Sequence, residues 1–441
     1  MPLSLGSIAS AAGGAAGLAG GGAASALTYS ALRSKYNDFS FPMAAITING
    51  KPLVSTAEKG IVVNDIHVEL TSGFEASVAS FRIYNVFDTS QGKFRYEDLK
   101  AQVFMGAPVS ISLGYVEAME TVFVGFIAGV AFGYEPEDLP YIQVTAMDVK
   151  SIMMGGTYSY QLTAKTYGEA VTEIFKRTGY EKLKAAGGIT ALQIGDTPDK
   201  KAAPAPGGGG AGAQKKASPE TIEMVAESDY EFVVKAAKKF NFEFFVDRGC
   251  VIFRKAKSNT APLASIGVSS GILGFHVEYS LTGLVSSIEA RSSNPGDGKL
   301  IKHKANHEGD ISTNSKAKTI IGDASKVYVD PSITSQEQAT ARVESLMEQM
   351  RYRLGSLEAD CVGMPDLVPG RFLDVAGMGA PADNSFYLTS VVHDFTPDGG
   401  YHTKLIGCAA EIKTAEGAGG MGGMNALGGG SSGSMLGSLF G

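Results

Sequence analysis

The stretch SVVHDFTPDGGYHTKLIG, residues 390–407, decides how the chain is read. His393 and Asp394 adjoin, and His402 follows shortly after. The three are either ligands of a metal or catalytic centre or the framework of a strand pair. TPDGG interrupts two runs of strand-forming residues, which is the pattern of a hairpin. On a strand, successive side chains point to opposite faces. His393 and Asp394 therefore face opposite ways, which spoils a chelate. His393 and His402 flank the turn and are expected to face each other across it. Two imidazoles without a third ligand make a weak metal site, so the pair reads as cross-strand framework.

A second cluster, HKANHEGD, brings together His303, His307, Glu308 and Asp310. His-x-x-x-His aligns two ligands only on a helix, and the flanks GKLIK and EGDISTNS read as strand and loop. Lys304 also stands where the metalloprotease pattern needs a glutamate. No serine sits in a Gly-x-Ser-x-Gly elbow, and no carboxylate pair stands out as a glycosidase dyad. The sequence thus nominates no catalytic, cofactor or metal residue, and the chain reads as a non-enzyme.

Outward from the hairpin, the chain is mainly β with an α+β portion. From Ile46, short strand-like runs follow one another between Gly, Pro, Asn and Asp: AAITING, GIVVNDIHVELT, EASVASFRIYNV, APVSISLGY, TVFVGFIAGVAFGYE and PYIQVTAMDV. This spacing predicts a compact antiparallel barrel or sandwich over 44–155. In ASFRIYNV, Phe81, Ile83 and Asn85 are expected on one face, with Arg82, Tyr84 and Val86 on the other. A small α+β domain is predicted over 156–265. Thr166 with Glu169, and Ser228 with Glu231, form capping boxes ahead of apolar stripes at helical spacing. The first stripe is Ala170, Val171, Ile174 and Phe175, with Gly179 placed to end its helix. The second is Tyr230, Val233, Val234, Ala237 and Phe240. FEFFVDRGCVIFRK then reads as a hairpin turning at Asp247–Gly249. Within this domain, residues 199–220 are too rich in Gly, Ala and Pro to build a core and read as a mobile surface insertion. Their Gly run lacks the Gly-Lys-Ser/Thr ending of a phosphate loop.

A second β domain is predicted over 266–413. It begins with GILGFHVEYS, LVSSIEARSS and GKLIKHKA and closes with LEADCVGM, GRFLDVAGM and the long hairpin. Between them lies a helix over 335–354, with Ser335 as N-cap, Gln338 in the first turn and Gly355 at its end. Its stripe is Ala339, Val343, Leu346, Met347, Met350 and Leu354. Residues 414–441 are a low-complexity, Gly-rich tail. Residues 1–43 form a Gly/Ala-rich extension with no charge before Arg33, which suits neither a signal peptide nor a membrane span. It reads as a flexible or partly helical tail; the other reading is a small-residue helix that packs against copies of itself or plugs a channel.

Composition sets the outer bounds. The 441 residues suffice for two to four domains, and a 44% hydrophobic content gives each a core. With 38 basic against 45 acidic residues, the net charge is −7, which argues against nucleic-acid binding. The cysteines, Cys250, Cys361 and Cys408, are too few and scattered for a disulfide framework or a structural zinc site, which fits a reducing compartment.

Three blocks, in this order and spacing, resemble one family. They are VFVGFIAGV…YIQVTAMDVKSIM (122–153), ESDYEFVVKAAKKFNFEFFVDRGCVIFRK (227–255), and QATARVESLMEQM…LVPGRFLDVAGM…FYLTSVVHDFTPDGGYHTKL (338–405). The chain is similar to the phage late-control D proteins, the baseplate hub family of contractile tails, and to the hub portion of type VI secretion spike proteins. The likeness covers roughly 44–412. It implies a homotrimeric structural hub with two β-barrel domains per chain in a pseudo-sixfold ring. That ring adapts a hexameric tail tube to a separate trimeric spike, with the α+β domain on the outside or the spike-facing end. Other baseplate proteins and the tape measure are the further partners implied, with no cofactor, nucleic acid or stable membrane insertion. The location implied is the baseplate of a virion or tail-like particle, assembled in the host bacterial cytoplasm. In the family the His393 hairpin is scaffold. The N-terminal extension and the 199–220 insertion depart from its pattern. The competing readings are a particle-borne cell-wall enzyme or binding module, and a tail-tube or spike component.

Overall fold

The computed structural model describes residues 26–53, 60–136, 138–197, 222–294, 298–307, 321–322, 324–331 and 333–413. The 199–220 insertion, the 414–441 tail and residues 1–25 of the N-terminal extension lie outside the described residues.

The first β region begins earlier than expected. β1 (Leu27–Thr28) and α1 (Tyr29–Lys35) precede β2 (Pro42–Ile48). Thr28 caps α1 by accepting from the Ala31 amide, and Leu32 and Tyr36 are buried in the main core. The last third of the 1–43 extension is therefore a packed element. β3 (Lys51–Pro52), β4 (Val62–Thr71), β5 (Val78–Tyr84), the β6 (Phe87–Asp88) and β7 (Lys93–Phe94) arm, β8 (Pro108–Tyr115), β9 (Ala118–Gly133) and β10 (Tyr141–Met147) follow. They pair antiparallel in the order β3-β2-β8-β9-β10-β5-β4, with β6 and β7 apart. Phe81 and Ile83 point inward and Arg82 and Tyr84 outward, as the alternation predicts. It fails one residue later: Asn85 takes a positive φ of 59°, its side-chain Nδ2 donates to the Gly60 carbonyl, and Val86 turns inward.

The α+β portion holds α2 (Val149–Met153), β11 (Tyr158–Leu162), α3 (Tyr167–Phe175), α4 (Thr178–Ala185), β12 (Ala191–Ile194), β13 (Ile222–Glu227), α5 (Asp229–Phe240), β14 (Phe242–Asp247) and β15 (Cys250–Lys255). β14 and β15 form the expected hairpin, with Arg248 and Gly249 both at positive φ in its turn. The Ser228–Glu231 capping box is present. Gly179 does not end α3. The helix breaks at Arg177, whose backbone is extended, and Gly179 lies inside α4. The break lets Arg177 and Tyr180 both bond the buried Asp229, at 2.6 and 2.7 Å. In α5 Val233, Val234 and Ala237 are buried as expected, with Phe232 and Ala236 beside them, while Tyr230 and Phe240 are only partly covered.

The last region supplies β16 (Pro262–Ile266), β17 (Ile272–Tyr279), β18 (Ser287–Ser293), β19 (Leu300–Asn306), β20 (Ser325–Val329), α6 (Gln336–Arg351), β21 (Gly355–Val362), β22 (Phe372–Val375), β23 (Asn384–Thr396) and β24 (Gly400–Ala409). Ser335 caps α6 as expected, but the helix ends at Arg351 and Gly355 opens β21 instead of terminating the helix. β18, β19 and β20 do not join the strands around them. They form their own sheet, and α6 covers it with Ala339, Val343, Met347 and Met350. The strand pattern alone shows which runs are β, not which sheet they enter.

β4 pairs with β23, and this one seam makes the two β regions a single 14-stranded sheet. A single hydrophobic core runs beneath both regions, from Phe81, Ile111 and Phe123 to Phe386, Val391 and Leu405. Beyond the seam the sheet forks at β23. One arm runs through β24 and β21 to β17; the other runs through β22 and β16 to β1. Among the described residues no helix is long and apolar enough to cross a membrane.

Candidate functional site

The hairpin that opened the sequence reading is β23 and β24, and it sits at the seam. His393 points into the core and is fully buried. Its Nδ1 lies 3.1 Å from the Thr403 hydroxyl and 3.0 Å from the Tyr401 hydroxyl. The Thr403 hydroxyl also accepts from the Met364 amide at 2.9 Å. Burial, reinforced by the Arg248 charge, pushes the His393 ring down to about 3, so it is neutral at ordinary pH. A neutral, buried imidazole bonded to two hydroxyls is a packing element of the core.

His393 and Asp394 face opposite ways, as strand geometry requires. His402 does not face His393: the register pairs His393 with Thr403 and Asp394 with His402. The hairpin turns one residue away from where an opposed pair of histidines would need it. Asp394 instead meets His67 on β4, with Nδ1 to Oδ1 at 2.6 Å and both side chains half exposed. The His67 contact holds the Asp394 carboxyl below its usual range, and the same contact raises His67. His402 turns its Nε2 toward the Gly399 carbonyl at 2.6 Å. His67 lies far away in sequence and carries no local signal; only the β4–β23 pairing brings it here.

His303 and His307 are not brought together on a helix. His303 is on β19, opposite Ala290, and His307 lies just past the strand end, where its amide donates to the Ser286 carbonyl. Glu308 and Asp310 lie outside the described residues. Cys250, Cys361 and Cys408 are free thiols, pushed up to about 11, 12 and 11 by burial. Thiols so protonated are poor nucleophiles.

Polar side chains instead fasten one body to another. Glu243 on β14 accepts from Arg254 at 2.5 Å and from the Tyr387 hydroxyl on β23. Arg254 donates also to the Gly370 carbonyl at 2.7 Å. Gly370, at φ 79°, has no room for a side chain, because a Cβ there would meet the Phe245 ring at 2.5 Å. Asp148, the N-cap of α2, accepts from the Ser77 and Lys150 amides at 2.8 Å each. The fully buried Lys150 ammonium donates to the carbonyls of Gly73 and Glu75. Lys35 reaches both Glu120 and Asp366, at 2.8 and 2.7 Å, and so bridges the first β region to the last.

The surfaces left open are sheet edges. Among the described strands β17 pairs only with β21, so its other edge is free along Ile272–Tyr279. Leu273 and Phe275 on this strand are 59% and 43% exposed. Phe275 stands opposite the buried Ala359, at the rim of the main core. At the far end of the sheet, β3 pairs with only Thr47 and Ile48 of β2, which leaves the start of β2 uncovered beside the exposed Phe41 and Met43. Open apolar edges are templates for pairing with another chain.

The fold has known counterparts. The 43 kDa tail protein of prophage MuSo2 from Shewanella oneidensis is 14% identical, with a TM-score of 0.58 over 84% of this chain and 98% of that one. The tail protein from Neisseria meningitidis MC58 is 12% identical, with a TM-score of 0.59 over 84% of this chain and 97% of that one. A component of the type VI secretion system from E. coli is 12% identical and overlaps with a TM-score of 0.48 over 84% and 77%. No curated protein matches the sequence. The profile of the Alg8 N-terminal domain matches residues 213–397. That span cuts between the hairpin partners β23 and β24 and crosses three separately packed cores, so it corresponds to no unit of this fold. The match over nearly the whole of both tail proteins is the informative one: the chain has the fold of phage tail proteins, as its resemblance to the baseplate hub family implied.

Proposed function

We propose that the chain is a structural hub protein of a contractile phage tail or tail-like injection particle, without enzymatic activity. Three copies form a ring that adapts a hexameric tail tube to a separate trimeric spike, within a baseplate assembled in the host bacterial cytoplasm. Each copy contributes two β domains, 44–155 and 266–413, as successive positions of a pseudo-sixfold ring, and the α+β domain 156–265 decorates its outside or its spike-facing end. The observation that carries this reading is the fold likeness to two phage tail proteins over 97–98% of their length. The open edges of β17 and of the start of β2 support it, because a head-to-tail ring is a closed arrangement in which one such edge of each copy can meet the other edge of the next. The test is electron microscopy of the purified full chain with its spike partner, beside Phe275→Lys, which charges the β17 edge. The expected result is a threefold ring with a central channel that Phe275→Lys fails to form. Rings unaffected by that change would detach the edges from assembly. No ring, together with hydrolysis of peptidoglycan by the pure chain, would overturn the reading in favour of a cell-wall enzyme.

A further inference from the structure

A row of three metal-ligating side chains crosses the seam between the two β regions. The register sets His67 of β4 opposite Asp394 of β23, and Asp394 opposite His402 of β24. Directly opposed residues project from the same face, so the row His67–Asp394–His402 lies on the outer surface, with His393 on the other side of the sheet. We propose that these three residues bind a divalent transition-metal ion of the zinc class, which fastens β4 of the first region to the hairpin of the second. This site does not depend on the hub reading.

The spacing suits it. Neighbouring strands are about 4.8 Å apart, and opposed Cβ atoms about 5 Å. An ion above Asp394 is then within reach of an imidazole from either side, at metal–ligand bonds of about 2.0–2.2 Å. His67 Nδ1 and Asp394 Oδ1 are hydrogen-bonded to each other at 2.6 Å, and an ion would have to take the place of the proton they share. As the side chains lie, no three metal-ligating residues among the described ones are gathered around one point. Two steps are required: the His67–Asp394 hydrogen bond opens around the ion, and His402 rotates away from the Gly399 carbonyl, a turn carbonyl at an exposed position.

The surroundings favour a cation. Ser80 flanks the row beside His67, and Val362 flanks it beside His402, so neither end is blocked by a positive charge. Glu69, on the same face of β4, adds negative charge near His67. Lys404, the nearest lysine along β24, faces Glu358 at 3.6 Å. Two imidazoles and one carboxylate suit zinc, copper or nickel better than calcium or magnesium, which prefer all-oxygen sites. Three protein ligands leave a fourth position for water.

The test is calorimetric titration of the full chain with zinc chloride at pH 7.5, with cobalt(II) absorption as a readout of coordination. One site per chain is expected, together with the visible bands of a tetrahedral or five-coordinate cobalt ion. His402→Gln and Asp394→Asn should each weaken binding at least tenfold, while Cys408→Ser should leave it unchanged. Circular dichroism of the variants separates loss of ligand from loss of fold, and the near-isosteric Asp394→Asn carries the result should His402→Gln unfold. Absence of binding at millimolar zinc, or equal binding by the wild type and both variants, would overturn the proposal and leave His67–Asp394 an ion pair only.

Discussion

His393 shows how strongly one buried ring can couple this fold to pH. In the folded chain its ring is held down to about 3, first by burial and then by the Arg248 charge, against an ordinary value of 6.5. The unfolded chain binds a proton there that the folded chain refuses. Its contribution to stability is therefore complete above pH 6.5, falls as pH drops below that, and is gone below about 3. The full span is about 5 kcal/mol, and some 2 kcal/mol of it is lost by about pH 5. His393→Gln should be less stable than the wild type at pH 7.5, with the gap narrowing by about 2 kcal/mol at about pH 5. Urea unfolding at the two pH values measures this, and a gap that stays constant would contradict it. The sequence allowed the first half of this site to be read. Strand alternation separates His393 from Asp394, and the turn signal at TPDGG locates the hairpin. It did not fix the register, so it opposed His393 to His402 where the fold opposes His402 to Asp394. Nor could it supply His67, because a contact between distant strands leaves no mark on either strand alone.

Among the elements, the segment from Leu27 to Tyr36 was the least legible. It lies at the end of a long run of Ala and Gly, whose composition allows a partly helical tail but hides that this helix is capped and packed into the core. The local signal was present in Thr28 followed by YSALRSKY. Tyr36 is fully buried, its ring packs 5.5 Å from that of Tyr115, and its hydroxyl donates to Asp366 at 2.5 Å. Tyr36→Ala should therefore cost about 3–5 kcal/mol, the range for emptying a buried aromatic site. Thermal unfolding tests this; a change within about 0.5 kcal/mol, as at an exposed surface position, would return the segment to the status of a tail. Other elements were read correctly because their signals are local. Ser335 and the apolar stripe define α6, and Ser228 with Glu231 defines the start of α5. Gly179 misled because glycine marks a helix end only where φ is positive, and the break at Arg177 is set by a distant partner, Asp229.

At the scale of the whole molecule, the central feature is continuity. Residues 62–71 and 384–396, more than 300 positions apart, pair edge to edge, and one core extends beneath both β regions. The mainly β character was plain in the sequence. The merger of its strands into one forked sheet, and the escape of β18–β20 into another, were not, because strand patterning encodes which face is buried and not which neighbour is paired. Two of the forked sheet's three ends, at β17 and at the start of β2, are apolar edges, and the hub account requires those edges to be covered by other copies. Its most direct test is the mass of the purified full chain by light scattering, alone and with the spike protein of its particle. The account predicts a mass of three protomers, alone or on adding the spike. A chain that stays monomeric under both conditions would contradict it.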